Sequence, residues 1–158
     1  MSNEIYLTRA CYEKFCDELE QLKKDSLRIA DQINEARQLG DLKENAEYHA
    51  AKEAQAYNAA RQGDLKNKIS MARIIEDQNI PGDKIYIGAI VTLKDLETGE
   101  KMKYQMVSPE ESNFEENKVS IFAPIGKGLM GKPEGAEMDI DVPAGKLRYK
   151  VLKIERPK

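Results

Sequence analysis

Residues 40–53 read GDLKENAEYHAAKE, and the way this stretch is read decides the fold. Gly40 closes one run of helical periodicity, and a second run opens at about Asn45. A glycine directly after an apolar stripe suits a left-handed helix stop. A connection of about four to six residues makes the two helices run antiparallel. Asp41 and Glu44 lie in that connection, three positions apart, at the far end of a helical hairpin where they are of least use to a core.

Before the glycine, apolar residues recur at three- and four-residue steps: Tyr12, Phe15, Leu19, Leu22, Ile29, Ile33 and Ala36, with Ser26 at the skipped position. This is a heptad-like stripe kept over about four heptads. Thr8 suits an N-cap. A helix is therefore expected from about Arg9 to Leu39, roughly 45 Å long at ~1.5 Å per residue. The return helix, from about Asn45 to Glu76, starts alanine-rich: Ala46, Ala50, Ala51, Ala54, Ala56, Ala59 and Ala60, with Tyr57 as a large knob. Small side chains let backbones approach, so the distal hairpin should be thin. Nearer the base, Leu65, Ile69, Ala72 and Ile75 are expected to meet Tyr12, Phe15 and Leu19. Gly63 inside this helix costs about 1 kcal/mol relative to alanine and suggests a local bend.

DQNIPGDK, residues 77–84, is loop punctuation, and the period then changes to two. KIYIGAIVTL, KMKYQMVS, KVSIFAPI, EMDIDVP and KLRYKVLKIER are strand candidates, and IGKGLMGK between the third and fourth is a short helix or glycine-rich turn. The expected fold is α+β. Residues 1–76 form a long antiparallel α-helical coiled-coil hairpin, 77–84 a linker, and 85–158 a small, mostly antiparallel β domain with a short helix. The hairpin cannot bury both faces of its helices, so it is expected to project as a finger.

Composition narrows the function. No stretch approaches ~18 uncharged apolar residues, so no membrane span is expected, and the opening MSNEIYLTRACYEKF lacks signal-peptide features, which implies retention in the cytoplasm. Cys11 and Cys16 are the only cysteines, too few for a disulfide framework, and with one histidine they cannot build a structural zinc site. Net charge is −3; residues 1–76 carry 12 basic against 14 acidic side chains and the remainder 13 against 14. Neither half has the positive excess of an autonomous nucleic-acid binder, so any nucleic-acid contact is expected to be local or delegated to a partner; sequence-specific DNA binding is not expected.

The acidic pair has two readings. Asp41 as N-cap with Glu44 at the third helical position is a capping box, worth roughly 0.5–2 kcal/mol at the cap. Alternatively, two close carboxylates suit Mg²⁺, which commonly takes one or two carboxylates plus waters and phosphates. Alone they make a weak, open site that works only where a second macromolecule supplies the other ligands. Lys43 and Arg37 give the acidic tip a basic collar.

EARQLGDLKENAEYHAAKEAQ, with LTRACYEKFCDELEQLK, SIFAPIGKGLMGK and PAGKLRYKVLKIE, resembles the Gre family of bacterial transcript cleavage factors over nearly the whole chain. The resemblance implies an N-terminal antiparallel coiled coil and a C-terminal domain of FKBP-like topology that docks on RNA polymerase. It implies that the finger enters the secondary channel and that Asp41 and Glu44 help hold the second Mg²⁺, so that the polymerase hydrolyses the 3′ end of backtracked RNA. The protein is then not itself an enzyme, and Mg²⁺ is bound only in the polymerase complex. Basic residues near the family's tip carry over onto Arg37 and Lys52, with Arg61 a further candidate; each also suits a solvated helix face. Asn45 and Tyr48 belong to the motif too. Asn45 caps the second helix if Asp41 does not, and Tyr48 either stacks at the tip or packs between helices. His49 is expected on the helix surface. Ser120 and Pro124 carry over onto the polymerase-docking surface, although many relatives have polar residues and serine where this chain has Phe122 and Ala123. The alternatives are a channel-binding regulator without cleavage stimulation, a prolyl isomerase, a self-sufficient nuclease and a plain coiled-coil adaptor.

Overall fold

The computed structural model describes residues 4–40 and 45–157. Contacts divide the chain into two units, Tyr12–Met71 and a second made of Met1–Cys11 with Ala72–Lys158.

The helical unit is built from α2 (Ala46–Met71) and, from Tyr12 onward, α1 (Arg9–Arg37). They are antiparallel, as the short connection predicts. Glu18 pairs with Arg61, the Leu22 carbonyl accepts from Asn58, Ile29 and Ile33 pack with Ala51, and the Ala36 carbonyl accepts from Asn45. Phe15, Ile29, Ile33 and Ala36 of the expected stripe are buried, while Leu27, one step off it, is 72% exposed.

On α2 the buried positions are Ala51, Asn58 and Leu65, a strict seven-residue row. Tyr57 is not the expected knob: it is 74% exposed. One residue off that row turns a side chain by about 100° from the seam. Asn58 takes the inner position instead. Its Nδ2 donates to the Leu22 carbonyl at 2.9 Å, and its Oδ1 accepts from Gln62 Nε2 at 2.6 Å. A buried amide satisfied at both ends favours one register of a helix pair over its slips.

α2 ends at Met71, not Glu76. Ala72–Ile74 is a strand, β2, paired in parallel with β1 (Ile5–Leu7) in the register Ile5↔Ala72. Ala72 and Ile75 therefore leave the helical seam. Their three-residue spacing continues the helical period, which hides the switch to strand. α2 runs unbroken through Gly63, which is exposed, and a Cβ there would meet nothing within 4 Å.

The second unit contains a five-stranded sheet in the order β5-β4-β3-β7-β6. Its strands are β3 (Ile90–Asp95), β4 (Lys101–Val107), β5 (Lys118–Ser120), β6 (Glu137–Val142) and β7 (Gly145–Glu155). Only the β4–β5 pair is parallel; the other three pairings are antiparallel. Two strands are shorter than their apolar runs. Lys84–Gly88 precedes β3 as turns and a single bridge to Pro133, and the third run stops at Ser120 because Pro124 opens a helix, α3 (Pro124–Leu129). Ile85, Val91, Leu93, Met106, Leu129, Ile140, Tyr149 and Val151 form the core. Burial pushes the Tyr149 phenol up. α3 lies close because it carries glycines: a Cβ at Gly126 would stand 2.0 Å from the Ser120 carbonyl oxygen.

Thr8 caps α1 as expected, with Oγ1 accepting from the Cys11 N–H at 3.2 Å. The cap is itself held. Thr8 Oγ1 donates to Glu111 Oε2 at 2.6 Å, and the Thr8 N–H donates to Oε1 at 3.0 Å. The Glu111 side chain is 3% exposed and lies 3.6 Å from Lys118 Nζ. Burial opposes the Lys118 charge, but hydrogen bonds and attraction from Glu116 and Glu111 outweigh it and raise the ammonium's pKa.

Two stability changes of opposite sign follow. Gly63→Ala should stabilise the helical unit by up to about 1 kcal/mol in urea unfolding, since the new methyl meets no obstacle. Glu111→Ala should cost about 2–3 kcal/mol in the same measurement, because two donors of Thr8 lose a charged acceptor.

Candidate functional site at the hairpin turn

Helix ends carry carbonyls and N–H groups with no partner inside the helix. At the end of α1 the last turn tightens: the Gln38 and Leu39 N–H groups donate to Glu35 and Ala36 carbonyls at 3.2 and 3.1 Å. The α-helix thus ends at Arg37, two residues before the expected Leu39, and Gly40 follows at φ +125°. This is the positive-φ backbone for which glycine is suited.

Asn45 organises the start of α2. Its Oδ1 accepts from the Tyr48 N–H at 3.1 Å, and its backbone carbonyl accepts from the His49 N–H at 3.1 Å. Its Nδ2 donates to the Ala36 carbonyl of α1 at 2.6 Å. One side chain therefore caps α2 and ties it to the end of α1. The capping-box reading of Asp41 and Glu44 is corrected accordingly. The cap is Asn45, and the third helical position is Tyr48. Asp41, Leu42, Lys43 and Glu44 lie outside the described residues, so the metal-ligand reading of the pair does too.

The other expected tip residues separate into two groups. Tyr48 packs half-buried against Ile29, Ile33 and Ala51, and its ring meets His49 edge-on at 5.6 Å. It is a hairpin residue as well as a motif residue. His49 is exposed, as expected. Arg37 is exposed in the last turn of α1, where a cation suits the helix dipole. Lys52 is exposed, with Nζ 3.1 Å from Gln55 Oε1. Arg61, by contrast, grips Glu18 through Nε and Nη2 at 3.2 and 2.9 Å and reaches Asp64 at 3.0 Å. The Glu18 bond, against a smaller opposing effect of burial, raises its pKa. Arg61 thus serves the shaft, leaving Arg37 and Lys52 as the described cations flanking the turn. Among the described residues no group of three or more His, Cys, Asp and Glu side chains is placed to hold a metal.

Ser120 and Pro124 sit together in the second unit. Ser120 closes β5, and its Oγ accepts from the Phe122 N–H at 3.1 Å. Pro124 is exposed at the start of α3. Beside them opens an apolar groove of about 360 Å³ lined by Phe114, Val119, Ala123, Pro124, Ile125 and Val142. Phe114 and Phe122 are 77% and 63% exposed. Sequence reasoning missed Phe114; the available signal was a lone aromatic inside the polar run ESNFEEN.

Comparison with known proteins places both units. A family model described as "Transcription elongation factor, GreA/GreB, C-term" matches residues 80–156, and one described as "Transcription elongation factor, N-terminal" matches residues 5–74. Transcription elongation factor GreA of Chloroherpeton thalassium is 45% identical over 156 residues, covering 98% of this chain and 99% of that protein. GreA of Novosphingobium aromaticivorans is 46% identical over 145 residues, covering 91% and 90%. Among solved structures, GreA factor homolog 1 (Gfh1) of Thermus thermophilus is 32% identical, covering 97% of this chain and 99% of that one, with a TM-score of 0.45.

The cap assignment has a direct test. Asn45→Ala should cost about 1–2 kcal/mol in denaturant unfolding, while Asp41→Ala should stay within about 0.5 kcal/mol of the parent.

Proposed function

We propose, because this chain belongs to the GreA/GreB family of transcription elongation factors, that it works on RNA polymerase in the bacterial cytoplasm. The β unit docks on the polymerase, and the helical hairpin enters the secondary channel. There Asp41 and Glu44 help hold a second Mg²⁺ while the polymerase hydrolyses the 3′ end of backtracked RNA. The chain is a helper in trans and not itself the enzyme.

The observation that carries this reading is the position of Asn45. It supplies the cap of α2, the task for which Asp41 was the other candidate in the sequence. With Asn45 as the cap, a capping role does not account for the two carboxylates, and a role as metal ligands fits their chemistry. Their donor chemistry fits too: carboxylate oxygens are hard ligands of the kind Mg²⁺ takes, and two of them leave most coordination positions to other groups. When bound, Mg²⁺ stabilises negative charge on phosphate oxygens or activates water. Arg37 and Lys52 bring positive charge to the same end of the hairpin and suit the RNA backbone. A lysine at 52 meets phosphate as a point charge, without the two-pronged geometry of arginine. Ser120 and Pro124, with Phe122 exposed between them, are the proposed docking residues of the β unit.

The test is transcript cleavage by stalled elongation complexes. The native chain should release 3′ fragments in the presence of Mg²⁺. The Asp41→Ala/Glu44→Ala variant should lose that stimulation by about two orders of magnitude or more while binding polymerase as before. Undiminished cleavage by the variant would remove the carboxylates from the reaction. No cleavage by either protein, with binding retained, would favour the regulator without cleavage stimulation.

A further inference from the structure

The five-stranded sheet has a second face, and it carries a lattice of lysines. In the register of β3 with its neighbours, Lys94 lies between Lys101 of β4 and Lys150 of β7, and Thr92 lies between Lys103 and Lys153. Cross-strand partners share one side of a sheet. This side is opposite the one that carries Val91, Leu93, Met106, Tyr149 and Val151 into the core. Strands lie ~4.8 Å apart and alternate residues ~6.8 Å apart, so five ammonium stems rise from a base of about 10 by 7 Å.

Nothing in the fold calls for this arrangement, since like charges directly opposite each other destabilise a sheet. The acid within the lattice is Glu155, 3.6 Å from Lys103 and 3.8 Å from Lys153, whose side chains remain 62% and 63% exposed. Among the described residues no ion pair reaches Lys94, Lys101 or Lys150. Glu137, opposite Lys150 on β6, begins an acidic margin continued by Asp139 and Asp141. That margin bounds the basic area to β4, β3 and β7.

We propose that this face binds the phosphate backbone of duplex DNA without reading its sequence. Lysine is a compact point charge suited to phosphate, whereas carboxylate partners are gripped best by the arginine fork. The one arginine on the face, Arg148, is already paired with Asp139 at 3.1 Å. Single-stranded nucleic acid binds by stacking its bases on aromatic rings. The positions on this side of β3, β4 and β7 hold none; Tyr104 and Tyr149 point to the core. A flat lattice without stacking groups matches backbone-only contact with a duplex. The choice of DNA as the duplex rests on the proposed work at a transcribing polymerase. With a net charge of −3 the whole chain binds weakly, in the non-specific range of about 10⁻⁴–10⁻⁶ M.

The experiment is fluorescence anisotropy of a short labelled DNA duplex with the full-length protein, titrated at several salt concentrations. It uses no polymerase, so its result is independent of the cleavage assay. For four to five phosphate contacts, log K should fall against log salt with a slope of about −4. Lys94→Gln/Lys101→Gln/Lys150→Gln should flatten that slope by about 3 and weaken low-salt binding at least about tenfold. It should melt no lower than the parent, because repulsion is relieved. Glu155→Gln should tighten binding. The control Lys14→Gln/Lys24→Gln/Lys66→Gln removes equal charge from exposed helix positions and should change neither slope nor affinity by as much. Absence of low-salt binding, equal losses in the sheet and helix variants, or binding of single-stranded RNA or polyglutamate as tight as duplex DNA would overturn the proposal.

Discussion

The start of a helix presents N–H groups that the helix cannot satisfy itself, and here the side chain that serves one of them also gives a second donor to the Ala36 carbonyl, which the Leu39 N–H already reaches. Asn45 accepts from the Tyr48 N–H and donates to the Ala36 carbonyl. The two helices are held within hydrogen-bond reach of each other at that point, whatever residues connect them. Ala36 is 2% exposed and Ala51 7% exposed beside this clamp, so small side chains and a short polar tie together allow the close approach.

The clamp has to agree with the seam behind it. Asn58 ties α2 to Leu22 of α1 as Asn45 ties it to Ala36; the donors are 13 residues apart and the acceptors 14. That is about two heptads on each helix. Sliding one helix past the other would remove Asn58 from its carbonyl and bury an unsatisfied amide, a cost of roughly 1–3 kcal/mol. The grip of Arg61 on Glu18, one helical turn further along α2, resists the same slip. Register in the shaft therefore determines which residues fall at the turn, and two asparagines rather than the larger apolar residues specify it.

The parts of this design differ in how far the sequence reveals them. The apolar stripe of α1 was legible because large residues recur against a polar background. The seam of α2 was not, because its alanines look alike and only Ala51 among the seven turns inward. Tyr57 attracts attention by size, yet the neighbouring Asn58 faces the partner, a choice settled by phase and not by hydrophobicity. The β1–β2 pair joins residues 67 apart in the chain, so no local pattern announces it, and Ala72 and Ile75 continue a helical spacing across the break. At the turn, Asp41 and Asn45 are comparable cap formers; only the placement of the helix start distinguishes them. Ser120 and Pro124 were named as candidates from resemblance, while the groove beside them depends on Phe114 and Val142 arriving from other segments.

Charge shows most clearly which residues the fold uses. Arg61, Lys118 and Arg148 each have carboxylate partners within 3.6 Å, and Glu111 is consumed by the cap of α1. Such groups explain themselves through stability. Lys94, Lys101 and Lys150 do the reverse, because their cross-strand register places like charges together. Their separation along the chain, with Lys150 far from Lys94 and Lys101, hides them from any search for a basic run, and the net charge of −3 hides them from any argument by totals. Screening in salt reduces interactions between exposed charges beyond about 8–10 Å. At that range a partner senses the local lattice more than the whole molecule. Net charge is then a poor guide to what this chain binds, and the charges that the fold leaves uncompensated are the better one.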